Sequence, residues 1–174
     1  MTGIYAHWAP LYRGAGFEPR PITPGTKACH LNGWQAPMSD NDFHASLTKC
    51  GNHGIGLLMG SRFPDGTTLA ALDVDDDAFV DVAKVLMGNP RCIRRGKRGV
   101  IIFCRVQGEV GNLEFRLARL GEGKAAKHCE LLASKKLAVI PPTIHPDLGS
   151  PYQWQGPSLI EIPFEDLPII KDQS

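Results

Sequence analysis

Two aspartates, a glutamate, a basic turn and a histidine are the side chains whose types and spacing in this sequence could do chemistry. "LAALDVDDD", residues 69–77, is an apolar run that ends in acids broken only by Val74. Carboxylates packed this closely repel one another, so a strand that finishes this way needs something to offset the repulsion. In a strand, residues two apart project from the same face, roughly 6–7 Å apart along the chain. Asp73 and Asp75 would then stand side by side, with Val74 turned into apolar packing. Such a pair can bracket hard cations, and the paired metals of polymerases and nucleases sit about 3.5–4 Å apart. Asp76 and Asp77 have a plainer reading, because the helix dipole favours acids in a first helical turn. Taken alone, the DxD reads more readily as a strand end and a helix start than as a site.

A third acid shifts the balance. Glu130 lies between His128-Cys129 and Leu131-Leu132, inside a strand pattern, and beside two aspartates it would complete a three-carboxylate magnesium or manganese site. The turn in "RCIRRGKRGVIIFCR" carries the opposite charge: Arg94, Arg95, Lys97 and Arg98 surround Gly96 and Gly99. Glycines let a backbone approach a ligand closely, and guanidinium groups match phosphate oxygens. A solvated hairpin tip would look the same, but a triphosphate needs both metals and cations, so the two motifs support each other. In "AVIPPTIHPDLGSPYQW" the paired prolines fix an extended chain and place His145 in a rigid loop near these phosphate binders. Tyr152 and Trp154 alternate as in a strand and read as core packing rather than as base-stacking residues. Cys50-Gly51-Asn52-His53 lacks a second pair at usable spacing for zinc.

These residues need elements to hold them. Residues 3–16 read as a helix interrupted or begun at Pro10 and stopped by Gly14 and Gly16. "FEPRPI" is extended, "TPGTKACHLNGW" a loop, and "SDNDFHASLTKC" a capped amphipathic helix. "HGIGLLMG" and "TTLAALDVD" are runs of strand length joined by the turn signal "SRFPDG". "DDAFVDVAKVLMG" has helical spacing at Phe79, Val82, Ala83, Leu86 and Met87, with Gly88 as the stop. Strands follow at about 91–94 and 99–105. "HCELLA" and "KLAVIPP" read as a hairpin across Ser134, Lys135 and Lys136, and the tail "SLIEIPFEDLPII" as packing along the domain edge. Many strands, few helices and tight hairpins indicate an α+β fold with a largely antiparallel sheet.

Composition sets the outer bounds. The chain has 174 residues, 43% of them hydrophobic, which suits one globular domain with a core of its own. No apolar stretch approaches a membrane span and the first residues lack signal-peptide character, so a cytoplasmic protein with no membrane partner is expected. Five dispersed cysteines without a CxxC pair suit reduced thiols. A net charge of +1 means that any nucleic-acid contact must come from local patches.

With these motifs in view, the chain resembles the bifunctional primase/polymerase (prim-pol) domain of the archaeo-eukaryotic primase superfamily, most of all the version at the front of phage and plasmid primase-helicases. The resemblance runs in order through nearly all of residues 5–168. It passes through "PITPGTKACHLNGW" with Lys27 and Trp34, "IGLLMGSRFPDGTTLAALDVDD", "RRGKRGVIIFCR" and "CELLASKKLAVIPPTIHPDLGSPYQW". The last block is the most specific and the DxD the least. The resemblance implies a catalytic core built from an RRM-like, mostly antiparallel sheet flanked by helices, with an N-terminal α/β unit and the site in the cleft. It puts the first motif on Asp73 and Asp75 and the third motif's acid on Glu130, as catalytic residues and ligands of two magnesium or manganese ions. The second motif of the family usually carries a phosphate-contacting histidine, which the stretch 96–103 lacks. Arg94, Lys97 and Arg98, with His145, are the nucleotide-binding candidates in its place.

The expected function is that of a DNA primase/polymerase. It would join NTPs or dNTPs on a single-stranded DNA template during replication of a phage or plasmid-like element. A helicase domain or protein would be its partner, with residues 1–174 as one catalytic domain, stand-alone or the front of a longer primase-helicase. Two rivals use the same residues. A replication-initiator domain with reduced chemistry would bind DNA without incorporating nucleotides, and a metal-dependent nuclease would use the acids without needing the basic turn.

Overall fold

The computed structural model describes residues 3–117 and 126–172. In chain order the elements are α1 (Ile4–Gly14), β1 (Pro19–Ile22), α2 (Asp40–Cys50), β2 (Gly54–Leu58), β3 (Thr68–Val74) and α3 (Val80–Leu86). They continue with β4 (Ile93–Arg95), β5 (Val100–Gln107), β6 (Leu113–Leu117), β7 (Ala126–Leu132), β8 (Leu137–Ile140), β9 (Gln153–Gln155) and β10 (Ile169–Lys171). The strands form two sheets, a smaller one in the order β1-β2-β8 and a larger one in the order β6-β7-β3-β5-β4-β9. All pairings are antiparallel except that of β10, which runs parallel to β5 beside Arg105–Gln107. The fold is α+β, as the alternation of strand patterns with a few helical ones requires.

Period-two alternation divides the large sheet into two faces. Ala71, Ile101, Phe103 and Leu132 point to one side, where they meet Ile55, Leu57, Ala138 and Ile140 of the small sheet and Tyr5, Ala9 and Tyr12 of α1. Val74, Val100 and Ile102 point to the other and pack against Val80 and Ala83 of α3. Asp73 has the parity of Ala71, so it lies on the face of the main core.

α1 runs unbroken through Pro10, because Tyr5, Ala9 and Tyr12 are fully buried and their packing outweighs the lost backbone hydrogen bond. α2 begins where Ser39 Oγ accepts the amide of Asp42. Arg20 is fully buried; its guanidinium donates to Glu18 and to the carbonyls of Pro19, Trp34 and Ala36, and so pins the 31–36 loop to β1.

Beside the helix break expected at Pro10, two expectations from local pattern need correction. "HCELLA" and "KLAVIPP" are not paired strands: β7 lies in the large sheet between β6 and β3, while β8 pairs with β2 in the small one. The turn at 133–136 is therefore a crossing between sheets. β2 and β3, the two runs joined by the turn signal, also lie in different sheets. The other correction concerns α3. A 3₁₀ turn at Asp77–Phe79 precedes it and shifts the helical phase. Val80 and Ala83 are consequently buried, while Val82 and Leu86 are 57% and 81% exposed.

Candidate active site

The strand register sets a row of residues across one face of the large sheet. Glu114 of β6 pairs with Glu130 of β7, Glu130 with Asp73 of β3, Asp73 with Ile101 of β5, Ile101 with Arg94 of β4, and Arg94 with Trp154 of β9. Residues directly opposite in antiparallel strands share a face. Acids thus occupy one side of Ile101 and an arginine the other, with Asp73 and Arg94 two strand spacings apart, or roughly 10 Å. At this end of the sheet a cleft of about 450 Å³ opens, lined by Lys27, Asp73, Asp75, Arg94, Gly96, Lys97, Arg98, Leu137, Val139, His145, Asp147 and Tyr152 among others. This volume suits a small-molecule ligand.

The run "DVDDD" divides as its spacing suggests. Asp73 and Asp75 both line the cleft, and the amide of Asp75 prolongs the ladder by donating to the carbonyl of His128 at 2.9 Å. Asp76 caps Ala78, its Oδ1 accepting that amide at 3.0 Å, and its Oδ2 lies 3.3 Å from His128 Nδ1. Asp77 Oδ1 accepts the amide of Gly99 at 2.9 Å and lies 2.7 Å from Arg95. The Gly99 hydrogen bond first, and then Arg95, hold the Asp77 carboxyl below its usual range. Asp77 therefore clamps the β4–β5 turn to the end of β3. Gly99 closes the same joint: its φ is +61°, and a Cβ there would collide with the carbonyl of Val74.

The basic turn separates into distinct roles. Arg95 is taken by Asp77. Lys97 and Arg98 are exposed at the cleft mouth, with Lys97 Nζ 3.7 Å from Asp147. Arg94 reaches inward and lies largely buried, its guanidinium carbon 4.6 Å from the ring centre of Tyr152. Burial presses its pKa below the ordinary arginine value, and the nearby Asp73 charge opposes that shift.

His145 is 2% exposed. Its loop is tied down by a bridge between Ile144 and Pro151, by its own amide donating to Ser150, and by Thr143, whose hydroxyl donates to the carbonyl of Ile55. The Nδ1 atom accepts the amide of Asp147 at 3.1 Å, which assigns the ring proton to Nε2. Burial, then Lys27, and to a smaller extent Arg94 and Lys97, push the His145 pKa down against the pull of Asp147. The unfolded chain takes up this proton near pH 6.5, whereas the folded chain needs a lower pH. Stability should therefore fall as the pH drops from about 6.5 through the folded value. We expect His145→Asn to lose less melting temperature than the parent between about pH 7 and about pH 5. Parallel melting curves would count against this assignment.

Glu130 is the registered neighbour of Asp73 but is not a cleft-lining residue; its Oε1 lies 2.9 Å from Lys136 Nζ. Asp73, Asp75 and Glu130 are all hard oxygen donors, which fits a magnesium or manganese ion in type. Among the described residues, no three His, Cys, Asp or Glu side chains already converge as a metal-holding group. A cation seated on all three acids would share the Glu130 carboxylate with Lys136 or displace it.

The cleft thus brings together Asp73, Asp75, Arg94, Lys97, Arg98 and His145 and leaves Glu130 at its side. Lys27, Lys136 and Tyr152 were not picked out as site residues from sequence. Lys27 had a signal in the Pro-Gly loop quoted for the resemblance, and Lys136 in the Lys-Lys pair; Tyr152 in a strand pattern is indistinguishable from a core aromatic.

A model of the family described as bifunctional DNA primase/polymerase, N-terminal, matches residues 9–169. The chain belongs to that family. Membership supports a DNA primase/polymerase, that is nucleotidyl transferase, activity in general, with DNA and nucleotides as substrates. Enzymes of the family are generally metal-dependent. A search of curated proteins finds no match to the chain. Among the described residues, no helix is long and apolar enough to cross a membrane.

Proposed function

We propose that this chain is a template-dependent nucleotidyl transferase that joins NTPs or dNTPs on single-stranded DNA, in the replication of a phage or plasmid-like element and in partnership with a helicase. The observation that carries the reading is the pairing, within one cleft, of an acidic rim on β3 with a largely buried arginine two strands away. A nucleoside triphosphate and a 3′-hydroxyl need that division of charge.

In this reading Asp73, Asp75 and Glu130 hold two magnesium or manganese ions. Those ions, when bound, supply activation of the attacking hydroxyl and neutralisation of the departing pyrophosphate. The residues of the chain itself do the rest. Arg94 and the Nε2–H of His145 donate to phosphate oxygens in the interior of the cleft, where low dielectric strengthens each bond. Lys97 exchanges its Asp147 contact for phosphate, and Arg98 and Lys27 add charge at the mouth. Gly96 brings the backbone of the turn close to the ligand.

Labelled dNTPs or NTPs, a single-stranded template with and without primer, and manganese test the proposal together. Extension products are expected. Shortening of the DNA without incorporation would replace this reading with a nuclease. DNA binding with neither product would replace it with an initiator domain of reduced chemistry.

A further inference from the structure

Arg94 is held differently from the other arginines of the chain. Among the described residues, Arg13, Arg20, Arg95 and Arg105 are the other arginines that are not exposed, and each has a carboxylate oxygen within 4.0 Å. Arg20 shows the structural pattern most fully, with its donors consumed by Glu18 and backbone carbonyls. Arg94 has no such ion pair among the described residues, and its Nε has no hydrogen-bond partner there. It is held by the face of Tyr152, 4.6 Å away, within the range of a cation–π contact. The same buried ring meets His145 at 4.9 Å between centroids, tilted by 48°.

We infer that Tyr152 is a positioning residue, whose ring face holds Arg94 and His145 in the cleft so that the donors of both stay available to a polyphosphate. A carboxylate in this place would fix the guanidinium equally well. It would also consume its N–H groups and compete with the ligand's negative charge. An aromatic face attracts the cation through its quadrupole and occupies no N–H donor. Residue 96 is part of the device. A Cβ on Gly96 would come within 2.9 Å of the Arg94 guanidinium and 3.1 Å of the Tyr152 ring, so an alanine there would push the guanidinium off its place on the ring. The aromatic strand after the His145 loop thus has a task beyond filling the core.

This inference rests on the nucleotide reading of the cleft, and its test separates the two. The measurements are KM and kcat for nucleotide incorporation, and calorimetric binding of inorganic tripolyphosphate without metal, for the parent, Tyr152→Phe, Tyr152→Leu and Gly96→Ala. Tyr152→Phe should keep KM within about twofold, because the ring face remains. Tyr152→Leu should raise KM about tenfold with kcat nearly unchanged, and weaken tripolyphosphate binding in parallel. Gly96→Ala should follow Tyr152→Leu, and it carries the test if the leucine variant fails to fold. Parental binding by both Tyr152→Leu and Gly96→Ala would overturn the inference. Equal losses in Tyr152→Phe and Tyr152→Leu would also overturn it, because the hydroxyl rather than the ring would then be the active part. If the parent incorporates no nucleotide, the polymerase reading falls, and the tripolyphosphate arm alone decides the role of Tyr152. No tripolyphosphate binding by the parent would overturn that role as well.

Discussion

Asp73→Asn should lower nucleotide incorporation by about a thousandfold or more and leave the fold intact. Asp73 stands at the centre of the transverse row, opposite Glu130 on one side and Ile101 on the other, and it lines the cleft. Asparagine keeps its shape and removes its charge. Loss of about 4 kcal/mol of transition-state stabilisation, within reach of one charged metal ligand, amounts to roughly a thousandfold in rate. Two electrostatic effects on stability oppose each other. Neutralising Asp73 relieves repulsion from Asp75 and Glu130, but it also removes the charge that supports the partly buried Arg94. The melting temperature should therefore move by only a few degrees. Asp77→Asn is the informative contrast, because Asp77 holds the amide of Gly99 and the guanidinium of Arg95 rather than facing the cleft. It should loosen the β4–β5 turn and lower the melting temperature without abolishing incorporation. Parental rates in Asp73→Asn would sink the catalytic assignment.

The sequence was legible where chemistry and local geometry coincide. The DxD could be placed at a strand end because an apolar run and strict alternation precede it. The basic turn could be placed because two apolar strands flank it. Both features depend only on near neighbours. Sheet membership does not. β7 and β8 are separated by four residues and look like a hairpin, yet β7 is drawn between β6 and β3 while β8 closes the small sheet on β2. Nothing within a turn tells the chain whether the next strand turns back or crosses over; the burial of Ala138 and Ile140 against α1 and β2 decides it. β6 went unread for a similar reason. Its Leu113 and Phe115 are 48% and 50% exposed, so it is an edge strand without a buried apolar face to set a pattern.

The site shows the same division. Acids and arginines announce themselves by type, but partners from distant segments do not. Lys136 against Glu130, Asp147 against Lys97 and Tyr152 beneath Arg94 join positions that only the folded chain brings together. Arg94 and Arg95 are adjacent and identical in type. Strand alternation sends one into the cleft and the other to Asp77, a distinction that follows from register and not from composition.

That distinction gives the second large effect. Arg94→Met should raise KM for nucleotide roughly a hundredfold, whereas Lys97→Glu should cost substantially less. Charge-assisted hydrogen bonds contribute about 1.5–3 kcal/mol each, and a guanidinium can offer two to one phosphate. Loss of about 3 kcal/mol corresponds to the expected hundredfold. Lys97 is exposed and already shares Asp147, so water and salt screen what it can add. The stability effect should run the other way. Methionine fills a similar volume without a desolvated charge, and Arg94 Nε has no hydrogen-bond partner among the described residues. Arg94→Met should accordingly melt at or above the parental temperature. A variant that is more stable yet binds nucleotide far more weakly would separate binding from folding within one residue. DNA affinity distinguishes the remaining possibility. If Arg94 and Lys97 grip template instead of nucleotide, both variants will bind single-stranded DNA less tightly and with a shallower salt dependence, while KM for nucleotide holds. That pattern would move the triphosphate out of this cleft. The reverse pattern, with KM raised and DNA binding and its salt dependence unchanged, is the one that a largely buried arginine, stacked on an aromatic ring and without an ion pair among the described residues, leads us to expect.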